Sequence, residues 1–279
     1  MTKETINAKP WLYDAQVHML PWRQDQYEEM QSRPLVIGVI SDDGVVKVHP
    51  PIERVLQEVR EKIKAAGHEV VPWDVSGHDD CIHIMVWLNV NNPSLVLIIS
   101  QDEYYLADGC EDIRKEVAIG GEPLIPHVQA LVDRAAHTAK SVYEYWQLNR
   151  RKLAAQQRQL QKWNDFRSPS GHSVDILISP TMPHPAVRHR GCKWVGYTKV
   201  WNVLDYTALT IPAGVVSKEL DQAQLPQYQP RNDIDRWNWD QYDLDIMKDH
   251  TVSIQIIGRR LDEERVLGAA RVIEQVLRA

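Results

Sequence analysis

Phenylalanine is almost missing from this sequence: Phe166 stands alone beside 10 tryptophans and 10 tyrosines. Cysteine is scarce as well, and Cys81, Cys110 and Cys192 are far apart and odd in number. No Cys-x-x-Cys occurs, so neither a zinc knuckle nor a disulfide framework is supported. Basic charge is not in surplus. The 32 Lys plus Arg face 38 Asp plus Glu, a net charge of -6. Without a basic block the chain lacks the electrostatic footprint that nucleic-acid phosphates require. Long hydrophobic runs are absent too. The most apolar stretch, 81–100, is split by Asn89, Asn91, Asn92 and Pro93, whereas a spanning helix needs about 20 predominantly apolar residues. Residues 1–10 hold no apolar core of signal-peptide length. The expectation is a soluble, cytoplasmic chain that binds neither membrane nor nucleic acid.

What is there suits a globular domain. Of the 279 residues, 43% are apolar and 25% charged, enough for a sizeable core in one large domain or two small ones. Leu35-Val-Ile-Gly-Val-Ile40 is a continuous run of the length expected for a strand buried on both faces. Asp42-Asp43-Gly44 reads as a turn. Pro50-Pro51 opens a helix over about 52–66, where proline's missing N–H costs nothing. Ile52, Val55, Leu56, Val59 and Ile63 form its apolar stripe, Gly67 stops it, and Glu69–Asp74 is the next strand. This is a βαβ unit with a right-handed crossover.

Helical spacing then dominates from His127 to Trp163, and Ser168-Pro-Ser-Gly-His is a loop. Val174–Pro180, Leu209–Gly214 and Val252–Ile257 read as further strands, with a polar surface excursion at about 217–250. A helix over about 262–277 closes the chain, with acidic residues in its first turn, where the helix dipole favours them. No internal repeat is visible. The fold class is α/β, with a mixed β-sheet core flanked by helices.

Taken residue by residue, no catalytic constellation stands out. No Gly-x-Ser-x-Gly nucleophile elbow is present. The cluster Ser168-Pro-Ser-Gly171 has too little glycine to build an oxyanion cradle. Gly120-Gly121 precedes Glu122-Pro123, not the Lys-Ser/Thr of a phosphate loop. His184, His189 and Cys192 can be drawn as a metal site, but their Pro-broken setting holds two arginines and reads as a structural loop. Asp42-Asp43 and Asp79-Asp80 are sequence neighbours whose side chains point apart, so they do not suggest opposed carboxyls across a cleft.

Several segments together are more specific. They are Ala8-Lys-Pro-Trp-Leu-Tyr-Asp14, Pro21-Trp22-Arg23, Ile37-Gly-Val39, Asp43-Gly-Val-Val46, His49-Pro-Pro51 and Ala66-Gly-His-Glu-Val-Val71. Next come Ala107-Asp108-Gly109, Gly121-Glu-Pro123, Asp175-Ile-Leu-Ile-Ser-Pro-Thr181 and Trp201-Asn-Val-Leu-Asp-Tyr206. The last are Leu209-Thr-Ile-Pro-Ala-Gly214 and Ser253-Ile-Gln-Ile-Ile-Gly-Arg-Arg-Leu-Asp-Glu-Glu-Arg-Val-Leu267. In this order, over nearly the whole chain, they resemble the amidase signature family, in particular its fungal acetamidase-like branch.

The resemblance implies hydrolysis of small-molecule carboxylic acid amides to acid and ammonia by a Ser–Ser–Lys triad, with no cofactor and no metal. The family's Lys base and its Gly/Ser-rich stretch lie upstream of the region matched here, and this sequence contains no such stretch. The expectation is a single partial amidase domain over residues 1–279, the C-terminal portion of an amidase signature fold, without catalytic residues of its own and inactive alone. The alternative is a non-catalytic binding protein that keeps the acyl-pocket half. The resemblance also places Thr198 and Trp201, within Tyr197-Thr-Lys-Val-Trp-Asn202, along the acyl-binding channel as substrate-binding residues. An ordinary core position for Trp201 remains the other reading.

Residues 86–101 depart from the family pattern, intervening between Met85 and Asp102. They read either as a loop insertion carrying a strand at Leu95–Ile99 or as a short intron translated in frame. A Val codon begins with GT and a Gln codon can end in AG, which suits the second reading.

Overall fold

The computed structural model describes residues 3–87, 101–102, 104–135, 139–221 and 228–279. The buried run near residue 35 becomes strand β1 (Val36–Val39), with all four residues enclosed. Gly38 is required there by close approach, since a Cβ would lie 2.5 Å from Leu177 Cδ2. Helix α3 (Pro50–Ala65) starts on its two prolines and buries Ile52, Val55, Leu56, Val59 and Ile63, the stripe that the sequence spacing predicts. At its end Gly67 takes φ +90°, a left-handed turn that glycine adopts without steric penalty. Strand β2 (Glu69–Pro72) then pairs parallel with β1, Val36 opposite Glu69.

Before this unit lie α1 (Lys3–Asn7) and α2 (Gln24–Ser32). After it come α4 (His78–Met85), the short antiparallel pair β3 (Val86–Trp87) and β4 (Gln101–Asp102), then α5 (Glu111–Gly120) and α6 (Pro126–Ala135). Most of segment 86–101, including the strand expected at Leu95–Ile99, lies outside the described residues. The helical spacing from His127 to Trp163 is carried by two helices, α6 and α7 (Val142–Asp165). Ser141 starts the second with a capping box, its hydroxyl accepting from Glu144 N–H while the Glu144 carboxylate accepts from Ser141 N–H. Such a reciprocal cap satisfies two otherwise orphaned donors, so a fresh helix start outweighs the continuing apolar spacing.

The remaining elements are β5 (Ile176–Pro180), α8 (Gly196–Leu204), β6 (Ala208–Val215), α9 (Asp233–Asp240), α10 (Leu244–Met247), β7 (Thr251–Ile257) and α11 (Glu263–Arg278). The main sheet runs β2-β1-β5-β7-β6. Its first three strands are parallel, and β7 is antiparallel to both β5 and β6. The architecture is therefore α/β with a mixed sheet. Helices α3 and α11 pack on the sheet, with α2 against α11, while α4, α7 and α8 pack together as a second layer. Trp163 of α7 is fully buried against Trp73, ring centroids 5.3 Å apart, and its Nε1 donates to Val174 O at 2.9 Å.

Charge ties the start of β5 to both α2 and α11. Asp175 accepts from Arg33 Nη2 at 2.7 Å, Arg265 Nη2 at 3.0 Å and Val36 N–H at 2.9 Å. The described residues of segment 217–250 are mostly exposed or half-buried, as its polarity suggests, but Asp221, Asp235, Asn238 and Met247 are buried. Asp235 accepts from Lys47 N–H at 2.8 Å and Asn238 donates to Lys47 O at 2.9 Å, so both serve the main chain of the β1–α3 connection. Among the described residues no helix is long and apolar enough to cross a membrane.

Candidate functional site

Parallel β1 and β5 lie side by side, and their C-terminal ends open into connections that leave the sheet separately. In open α/β sheets ligand sites form at such ends. Beyond β1 the chain enters Ser41-Asp42-Asp43-Gly44, and beyond β5 it enters Thr181-Met-Pro183. Polar side chains are buried here in unusual number: Asp43, His49, Ser179, His184, Asp235, Asn238 and Gln255.

Gln255 of β7 crosses between strand and helix. Its Nε2 lies 2.9 Å from Ser179 Oγ, 2.7 Å from Pro180 O and 2.8 Å from Tyr197 O, donating to all three from two hydrogens. Tyr197, in the first turn of α8, donates its hydroxyl to Val46 O at 2.7 Å and accepts from Asp43 N–H. Asp43 accepts from Val45 N–H, Val46 N–H and Trp194 Nε1. Desolvation nevertheless dominates and pushes its carboxyl up to about 6, since burial disfavours the charged form. Burial also drives the Tyr197 phenol well above its ordinary value, with Asp43 adding to the effect. Asp42, at the rim, forms a two-pronged pair with Arg231 at 3.0 and 2.9 Å. The assembly is a rigid, largely satisfied scaffold that fixes α8.

Both substrate-channel candidates lie on α8. Thr198 is half-buried, and its Oγ1 donates to Val195 O at 3.0 Å. Trp201 is 5% exposed. It stacks on Tyr206 at 6.3 Å and 13° and meets His78 edge-on at 5.4 Å. Trp201 Nε1 and Tyr206 Oη are both buried without a hydrogen-bond partner. An unpaired buried donor costs about 1–3 kcal/mol.

The serines nearest to a glycine cluster or a lysine are engaged by carboxylates. Ser168 and Ser170 both donate to Glu69. Ser76 lies 3.0 Å from Lys162 Nζ, a pairing that could in principle activate a serine. Here, however, Ser76 Oγ donates to Asp74, and Lys162 Nζ donates to Asp74 O at 2.6 Å and Ser76 O at 3.0 Å while pairing with Asp74 Oδ2 at 2.7 Å. The ammonium is used throughout as a donor, the reverse of what a general base must do. His184, His189 and Cys192 do not come together as a metal centre. Among the described residues no group of three or more His, Cys, Asp or Glu could hold a metal ion.

The family pattern "Amidase" matches residues 1–267. The chain is 51% identical over 276 residues to "Amidase 1" of Gibberella moniliformis, covering 99% of this chain and 50% of that protein. It is 32% identical over 279 residues to an acetamidase of Aspergillus oryzae, covering 99% and 48%. Among solved structures a fatty acid amide hydrolase superposes with TM-score 0.77 at 25% identity, covering 98% of this chain and 44% of the other. The fold is that of amidase signature enzymes. The chain belongs to the amidase family, and it spans about half the length of the relatives it matches.

Asp43, His49, Asn238 and Gln255 escape a reading of the sequence. Asp43 looks like a turn residue, Gln255 like one polar position in a strand, and Asn238 like surface. The signal that could have found Gln255 is its place between Ile254 and Ile256 in a strand.

Proposed function

We propose that this chain forms the acyl-pocket portion of a hydrolase that converts a small carboxylic acid amide to acid and ammonia. The match of residues 1–267 to the amidase family, in register with proteins named as amidases and acetamidases, carries the reading. The attacking Ser and the bridging Ser come from a Gly/Ser-rich stretch that this sequence does not contain, and the Lys base comes from upstream of that stretch, so this polypeptide does not turn over amides alone. A Ser needs a base within hydrogen-bond reach and N–H donors at the developing oxyanion. Ser76, Ser168 and Ser170 instead spend their hydroxyls on carboxylates.

Thr198 and Trp201 form a wall of the acyl channel. Support comes from the half-open position of Thr198 and from the buried, unpartnered Nε1 of Trp201, a donor available to a carbonyl. The three unpaired cysteines suit a reducing compartment, the cytosol.

Purified chain incubated with acetamide, benzamide and a chromogenic anilide should release neither ammonia nor aniline above the blank. Coexpression with the N-terminal half of a homologous amidase should restore turnover. Activity of the chain alone that survives repurification, and is lost on mutating one serine, overturns the inactivity. Failure of a stably associated complementing half to restore hydrolysis overturns the amidase role.

A further inference from the structure

A pocket of about 220 Å³ opens between the connection that follows β1 and one face of α3. Glu53, Leu56, Gln57 and Arg60 form its helical wall. They follow one another at steps of three and four, which brings them onto a single helix face. Ser41, Asp42 and Lys47 line the opposite side. The charged groups are not equally engaged. Both Asp42 oxygens are taken by the Arg231 guanidinium, at 3.0 and 2.9 Å. Glu53 Oε2 lies 3.4 Å from Lys47 Nζ. Arg60, half-buried, has neither hydrogen bond nor ion pair among the described residues, and its Nε is buried without an acceptor. A buried charged donor is ordinarily paired. The Ser41 hydroxyl, too, makes no hydrogen bond among the described residues. The two ion pairs cancel, and the positive charge of Arg60 is left uncompensated.

We propose that this pocket binds a small monocarboxylate, with Arg60 as its anchor. The unspent charge is positive, so the ligand is an anion. A cation finds no free acid here, because Asp42 and Glu53 already have basic partners. One negative charge balances Arg60, whereas a phosphate dianion would set a second one beside those two carboxylates. The planar guanidinium fork matches the two oxygens of a carboxylate, and Ser41 offers a further donor. Val48 and Leu56 also line the pocket and give a carbon tail an apolar wall. That tail is short, since the volume lies below the roughly 300–1,000 Å³ of sites for drug-sized ligands. Neither Thr198 nor Trp201 lines this pocket, so it is separate from the acyl wall proposed above. A carboxylic acid is also one product of the proposed hydrolysis, but the binding claim does not rest on turnover.

The test is titration calorimetry of the purified chain with sodium butyrate at neutral pH, set against sodium chloride and sodium phosphate at equal ionic strength. Butyrate should give saturable heat and a saturable rise in Tm. Chloride should give neither, and phosphate should bind more weakly than butyrate. Arg60→Gln removes the anchoring charge, and Gln57→Glu sets a negative charge on the same wall. Each should weaken butyrate by about tenfold or more. Gln57 is exposed, so the second variant reads the pocket even where loss of Arg60 disturbs folding. A butyrate response no different from that of chloride overturns the proposal. So does a butyrate affinity that Gln57→Glu leaves unchanged, and phosphate binding tighter than butyrate overturns the monocarboxylate class. Because no amide is hydrolysed in any of these titrations, failure here is separate from failure of the amidase reading.

Discussion

Trp194 Nε1 donates to Asp43 Oδ2 at 2.7 Å in a buried setting, joining the loop after β1 to the segment that leads into α8. Burial raises the Asp43 carboxyl to about 6 from its ordinary 3.8. The folded state therefore holds this proton more tightly than the unfolded chain. The associated stability is fully present below about pH 3.8 and is lost as pH rises through 6. At about 1.36 kcal/mol per pKa unit this amounts to roughly 3 kcal/mol at most. Asp43→Asn removes that dependence. Urea unfolding at several pH values between 4 and 7 should show the variant gaining on the native protein by up to about 3 kcal/mol as pH rises. A constant difference across that range would refute the assignment.

The buried histidines act with the opposite sign. Desolvation lowers His49 and His78 to about 4 from 6.5, and the charge of Lys162 adds to it at His78. Their unfolded forms bind protons more readily, so stability is full above pH 6.5 and is lost as pH falls through 4. Each contributes up to roughly 3 kcal/mol to that loss. His78→Phe, which keeps an aromatic edge toward Trp201, should flatten the acid limb of a stability–pH curve. An unchanged limb would mean that His78 is already protonated in the fold.

Strand β6 is an edge of the main sheet among the described residues, eight residues long and paired only with β7. Beside it Trp22, Tyr27, Leu209, Ile211 and Leu267 line a largely apolar groove of about 430 Å³. A long apolar edge is a template for pairing with other chains. The purified chain should elute larger than a monomer, and Ile211→Lys should shift it toward the monomer. Elution of the unmodified chain as a sharp monomer peak would contradict this.

We propose that codons 86–101 are a retained intron. Of this stretch only Val86, Trp87 and Gln101 are described, as β3 and the start of β4. Mature transcripts should join codon 85 directly to codon 102. Transcripts that uniformly keep the intervening codons would sink the idea.

Much of the scaffold is written in local pattern. The short β-branched apolar run at 35–40 reads as an enclosed strand, and the three-and-four spacing from Ile52 to Ile63 behind two prolines reads as a helix with one buried face, as both are. Ser141 and Glu144 form a legible capping box, yet an apolar spacing that continues through it hides the break before α7. Family membership was also readable, because many short segments keep their order along the chain. The buried polar scaffold was not. Asp43 meets Trp194 151 residues away, Asn238 meets Lys47 across 191, and Gln255 bridges to Ser179 and Tyr197. A local window records only that such residues are polar. Whether a polar side chain is solvated or enclosed depends on which distant strands and helices close over it, and that is decided when the sheet assembles.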